Sequence, residues 1–217
     1  MAIMLFVMSA CVKNDPPIAT QPTVNINVVN ATEDVLNFYL NGTRQNSTIG
    51  ISPLGANGVV PIPYGSVLTF KKQFDRFTYE NADVLFTVPV NVDTAGTNRR
   101  YTLFAAGQTS ADVFFVRDTL VSDAKNAKLR FVVASPEVTK LKVSMNDTLR
   151  FTTTMFKQKT IFTPVGNGAK NLVIRDADTN EILFTTKLIL TVNNNYTLFT
   201  QGKRGANPTF RAGLITN

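Results

Sequence analysis

Residues 129–148 read LRFVVASPEVTKLKVSMNDT, and residues 24–43 read VNINVVNATEDVLNFYLNGT. The two stretches align without a gap at an offset of 105. Apolar meets apolar at Val24 and Leu129, Ile26 and Phe131, Val28 and Val133, Leu36 and Leu141, Phe38 and Val143, and Leu40 and Met145. Further along, Tyr101-Thr-Leu-Phe-Ala-Ala-Gly107 matches Tyr196-Thr-Leu-Phe-Thr-Gln-Gly202 at an offset of 95, and Leu85-Phe86-Thr87 matches Leu183-Phe184-Thr185. The order of the matches is preserved, so the chain contains a tandem duplication. Two units make a pair of domains rather than a solenoid, which needs about three repeats or more to bury its faces. The copies span 23–122 and 127–217, and Thr119–Lys128 reads as the linker.

Each copy reads as β. Val24-Asn-Ile-Asn-Val, Leu36-Asn-Phe-Tyr-Leu and Leu141-Lys-Val-Ser-Met alternate apolar and polar with period two, as strands with one buried face do. Asn41-Gly42 and Asn146-Asp147 carry the chemistry of tight hairpin turns, because Asn, Asp and Gly tolerate positive φ. Residues 171–175 and 181–186 flank the loop Asp176-Ala-Asp-Thr-Asn180. No long stretch of period 3.6 interrupts these elements. The expected fold class is all-β: two tandem immunoglobulin-like antiparallel β-sandwich domains of about seven strands each, after a lipoprotein signal and tether in residues 1–22.

The chain has 217 residues, enough for one large domain or two small ones, with no His, no Trp and one Cys. Without His, neither a Ser-His-Asp nor a Cys-His nucleophile can be assembled in the usual way. One Cys with no His leaves no ordinary zinc site, and a single Cys forbids an intrachain disulfide. Glycoside chemistry needs two carboxylates facing each other across one cleft, and no motif marks such a pair. We therefore expect a protein that is not an enzyme and carries no cofactor and no metal.

The one cysteine, Cys11, ends the run MAIMLFVMSAC and precedes the proline-containing stretch VKNDPPIATQP. The run is shorter than the about 20 residues a spanning helix needs but matches the apolar centre of a secretory signal. Met8-Ser9-Ala10-Cys11 resembles a bacterial lipobox, with Met8 where Leu is usual, and no basic residue precedes it. Lys13-Asn14-Asp15 looks like the short signal that exports lipoproteins to the surface of Bacteroidetes-like bacteria. The expectation is an acylated Cys11 that holds the chain to the outer membrane of the cell envelope, exposed at the surface.

Copy two opens with a strand and Ala134-Ser135-Pro136, continues with an alternating strand ending in Asn146-Asp147-Thr148, and closes with Tyr196-Thr-Leu-Phe-x-x-Gly202. In this it resembles the domain-of-unknown-function 4397 family. Copy one has Val29-Asn30-Ala31 in place of the Ala-Ser-Pro but keeps Asn41-Gly42. The resemblance covers most of 23–217. It implies secreted, lipid-anchored β-sandwiches with an adhesion or scaffold role, and it brings no catalytic residues.

Charge divides unevenly between the copies. Copy one has seven basic and eight acidic residues, whereas copy two has thirteen basic and five acidic. Period two puts Lys128 with Arg130, and Lys140 with Lys142, on outward strand faces, and Lys157 with Lys159 repeats the spacing. Such a face fits an anionic glycan, a surface protein or a membrane surface. Nucleic acid is not expected, because no platform of aromatic and basic residues accompanies the charge. Phe74, Phe77 and Tyr79, near Tyr64 in the longer part of copy one, can stack on sugar rings, so a glycan-binding accessory protein in polysaccharide capture is the alternative function. Asp176, Asp178, Asn180 and Glu181 alternate as calcium ligands do, but the string lacks the glycine and distant glutamate of such a loop and reads as a polar hairpin. Thr94, Thr119 and Thr148 follow aspartates in short strings that resemble the O-glycosylation signal of Bacteroidetes.

Overall fold

A computed structural model describes residues 21–73, 81–95, 99–138, 140–202 and 210–217. Copy one forms β1 (Thr23–Asn30), β2 (Leu36–Leu40), β3 (Thr43–Arg44), β4 (Ala56–Pro63), β5 (Val67–Gln73), β6 (Asn81–Pro89), β7 (Arg100–Ala105) and β8 (Val113–Arg117). Copy two forms β9 (Lys128–Val132), β10 (Leu141–Met145), β11 (Thr148–Thr153), β12 (Thr163–Pro164), β13 (Gly168–Asp176), β14 (Ile182–Leu190), β15 (Asn195–Gln201) and β16 (Arg211–Thr216). A short 3-10 turn at Ser110–Asp112 is the one helical element among the described residues.

The all-β class and the two sandwiches are as the alternation predicts. Sheet A has the order β4-β1-β7-β8 and faces sheet B, β3-β2-β5-β6. Sheet C, β12-β9-β15-β16, and sheet D, β11-β10-β13-β14, repeat the same two orders. The finer topology was not legible in the sequence. Among the described residues each sandwich has eight strands, with β1 parallel to β7 and β9 parallel to β15, whereas the seven-stranded immunoglobulin arrangement opposes four strands to three. The predicted turns form as expected. Asn41 and Gly42 have φ of 49° and 79°, and Asn146 and Asp147 have 46° and 61°, the two positive values that a two-residue hairpin turn of matching twist requires.

Alternation fills one core between A and B and another between C and D. Val24, Ile26, Val28, Phe38, Phe70 and Leu103 are buried in the first. Leu129, Phe131, Leu141, Val143, Ile174 and Leu198 are buried in the second. A third cluster unites the copies, because sheets A and C are apolar on their outer sides as well. Val29, Phe104 and Val116 of copy one meet Val132, Ala134, Phe199 and Ile215 of copy two. The layers therefore run B, A, C, D.

Equivalent residues meet themselves across this contact. Phe104 and Phe199 hold the same place in the duplicated Tyr-Thr-Leu-Phe, and their ring centroids lie 5.6 Å apart. That self-contact is the mark of a two-fold interface between like surfaces, here made within one chain. The copies differ where they must interlock. By register, Phe114 opposite Phe104 corresponds to Gly213 opposite Phe199. Phe114 stacks on Phe104 at 5.2 Å and meets Phe156 of copy two edge-on at 5.8 Å. Gly213 leaves the space that Phe199 and Leu54 of copy one fill: a Cβ there would lie 2.5 Å from Phe199 Cζ and 3.2 Å from Leu54 Cδ2. Gly213→Ala is expected to destabilise the protein by about 1–3 kcal/mol through overpacking, read as a lowered urea midpoint.

The linker between β8 and β9 is ordered by its own polar groups. Asp123 Oδ1 accepts the backbone N–H of Lys125 at 3.0 Å and of Asn126 at 3.1 Å. These bonds, the Lys125 N–H first, hold the Asp123 carboxyl below its ordinary value. Ser122 Oγ donates to Asn193 Oδ1 at 2.6 Å, which ties the linker to the β14–β15 turn.

Candidate functional site

The four predicted cations divide between two sheets. Lys128 and Arg130 lie on β9 in sheet C, whose outer side faces copy one. Arg130 is 2% exposed, so it is not part of a solvated basic face. Its Nη2 lies 2.5 Å from Asp118 Oδ1, its Nε donates to Thr197 Oγ1 at 2.8 Å and its Nη1 to the Arg117 carbonyl at 3.0 Å. The Phe162 ring covers the guanidinium at 4.7 Å. Burial pulls the Arg130 value down while Asp118 opposes it, and a guanidinium in such a pair keeps its charge. Lys128 Nζ turns to Asp123, 3.9 Å away. The period-two reading was right that Arg130 points away from its own core. The outside of one sandwich is here the inside of the pair.

Thr102 and Thr197, equivalent residues of the two copies, flank this ion pair. Thr102 Oγ1 donates to Asp118 at 3.0 Å, and Thr197 Oγ1 donates to Asn217 Oδ1 at 2.5 Å. Asn217 is the counterpart of Asp118 by register, and Asn25 the counterpart of Arg130 by the repeat offset. Charge therefore occupies one of two related positions, and amides occupy the other.

Lys140 and Lys142 belong to the other layer. Lys142 lies on β10 between the core residues Leu141 and Val143, so it points out from sheet D. Arg175 of β13 stands directly opposite it in register. On β14, Lys187 precedes the core residue Leu188 and also points out, opposite Asn171. Arg150 is exposed at the bulge of β11. Lys140, just before β10, is exposed and pairs with Asp178 at 3.0 Å. Arg175, Lys187 and Arg150 were missed because their grouping depends on strand register, which alternation does not reveal. Exposed aliphatic side chains lie among these cations: Ile189 is 74% exposed, Leu149 55% and Ile182 51%.

Lys157 does not join this face. Its Nζ donates to the Ala111 carbonyl of copy one at 2.6 Å. Lys159 lies with Arg117, Val121, Ile161 and Phe162 around a cleft of about 420 Å³ between the copies. A second cleft of about 310 Å³ opens between equivalent loops, lined by Thr32, Glu33, Gln108, Asp112, Glu137 and Gln201. Gln201 Nε2 donates across it to the Thr32 carbonyl. The Asp176–Glu181 string is a hairpin turn: Asp176 Oδ1 accepts the N–H groups of Asp178 at 2.9 Å and Thr179 at 2.8 Å. No group of three or more His, Cys, Asp or Glu is placed to hold a metal among the described residues. Tyr64 is exposed after β4. Cys11, Phe74, Phe77 and Tyr79 lie outside the described residues.

No protein-family model matches the chain. No curated protein is significantly similar to it.

Proposed function

We propose that this chain is an exported, lipid-anchored adhesion or scaffold module of the cell envelope, without enzymatic activity, related to the domain-of-unknown-function 4397 family that copy two resembles. The observation that carries the reading is the outward face of sheet D. Its cations make no contact with any core and are laid out on a rigid sheet. The A–C interface supports the same role, since it welds two sandwiches into one four-layered body that holds its two outer sheets apart. An apolar run ending at the only cysteine, followed by a proline-containing tether, supplies the means of attachment.

The anchor is tested by labelling cells with palmitate and shaving them with protease. The wild-type chain is expected to take up label and to be clipped on intact cells. Cys11→Ala is expected to lose the label and move to the soluble fraction. A mature polypeptide that keeps its first eleven residues and carries no lipid would overturn the reading.

A further inference from the structure

On the outer face of sheet D, Lys142 and Arg175 are direct cross-strand partners. Side chains so placed begin about 4.5–5.5 Å apart, and like charges there destabilise a sheet. No acidic side chain offsets them within the face. The five acids of copy two are Glu137, Asp147, Asp176, Asp178 and Glu181, and they sit in turns or at a strand end. Among the described residues, Lys142, Lys187 and Arg150 form no ion pair. A cationic surface whose counter-charge is confined to one edge, where Asp178 pairs with Lys140, is suited to an external anion.

The neighbours of these cations decide which anion. Ile189, Leu149 and Ile182 project from the same face and are more than half exposed. Against a hydrated polysaccharide they would stay wet. Against a bilayer their tips enter the boundary between headgroup and acyl chain while the cations meet phosphates, the combination that drives peripheral membrane binding. The layer order adds a second argument. Lys142, Arg150, Arg175 and Lys187 face outward at one end of the stack, and copy one, with seven basic and eight acidic residues, lies at the other. The molecule is electrically polarised along the axis that would stand on a membrane.

We propose that the outer face of sheet D lies on anionic phospholipid, as an electrostatic and apolar attachment in addition to the acyl anchor, and presents sheet B of copy one away from the bilayer. The inference rests on the reading of sheet D as the contact surface of the module.

The test is flotation of the full chain carrying Cys11→Ser with vesicles of phosphatidylcholine, with and without phosphatidylglycerol. Binding is expected only with phosphatidylglycerol and is expected to weaken as salt rises. Each lysine removed is expected to weaken it about fivefold, so Lys142→Gln with Lys187→Gln about thirtyfold, with an unchanged thermal melt. Ile189→Asn is expected to weaken it about tenfold at constant salt. Failure to bind phosphatidylglycerol vesicles, or binding indifferent to both lysine substitutions, overturns the proposal. So does heparin binding as tight as vesicle binding and untouched by Ile189→Asn, which would make the partner a soluble polyanion. Vesicle binding by a chain that is never acylated in cells would leave this inference standing and remove the anchor instead.

Discussion

Arg130→Met is expected to lower stability by about 3–5 kcal/mol, the usual cost of stranding one partner of a buried ion pair. The substitution keeps an unbranched stem between the sheets but removes every donor of the guanidinium. Asp118, with a fully buried side chain, then retains Thr102 Oγ1 at 3.0 Å and Arg100 Nε at 3.8 Å. Neither replaces a cation at 2.5 Å. The control is Arg130→Met with Asp118→Leu. Replacing both charges by apolar groups of similar volume is often neutral or stabilising, so the double variant is expected to recover most of the loss. Urea unfolding of the two single variants and the double reads the coupling directly. A double variant as unstable as Arg130→Met alone would show that the loss came from packing and not from the carboxylate that lost its nearest cation.

Phe199→Ala carries the other large effect, about 3–5 kcal/mol for an aromatic ring removed from a filled interior. Phe104→Ala is expected to cost as much. The rings touch, so the pair of substitutions should cost less than the sum of the two. The manner of unfolding distinguishes this interior from the other two. Phe104 and Phe199 stand between the sandwiches, and the cores around Phe38 and Phe131 do not depend on them. The wild-type protein is expected to melt in one calorimetric transition. Phe199→Ala is expected to split it into two, because each sandwich keeps its own core while the contact between them is lost. A single cooperative transition at a lower temperature would mean that neither sandwich holds together without its partner.

The strands were legible because their alternation has a local cause: one face meets a core and the other does not. Leu36-Asn-Phe-Tyr-Leu and Leu141-Lys-Val-Ser-Met lie in sheets B and D, whose outer sides meet no other sheet among the described residues, and they alternate clearly. Phe131-Val-Val-Ala134 and Leu103-Phe-Ala-Ala106 do not alternate, because sheets A and C are covered on both sides. Near-continuous apolar runs of this kind mark a strand buried on two faces, and in a duplicated sequence they were the available signal that the copies pack together. Arg130 was misjudged for the same reason. Its position in the period was correct, but what lies beyond the sheet depends on the other copy. The cation cluster on sheet D was half visible. Lys142 stands out within its strand, whereas Arg175 and Lys187 join it only through a register fixed by turns and bulges between residues far apart in the chain.

The placing of one charge pair where symmetry would allow two also has a consequence for the molecule in company. If the halves were identical, any half could dock with any other, and crowded neighbours would be free to trade partners and knit into chains. Here a first half meeting another first half would set Asp118 against Asn25, and a second half meeting its like would set Arg130 against Asn217. The second mismatch would bury a guanidinium with no carboxylate beside it, which disfavours pairing between second halves, whereas in the first Asp118 would keep Arg100 of its own half at 3.8 Å.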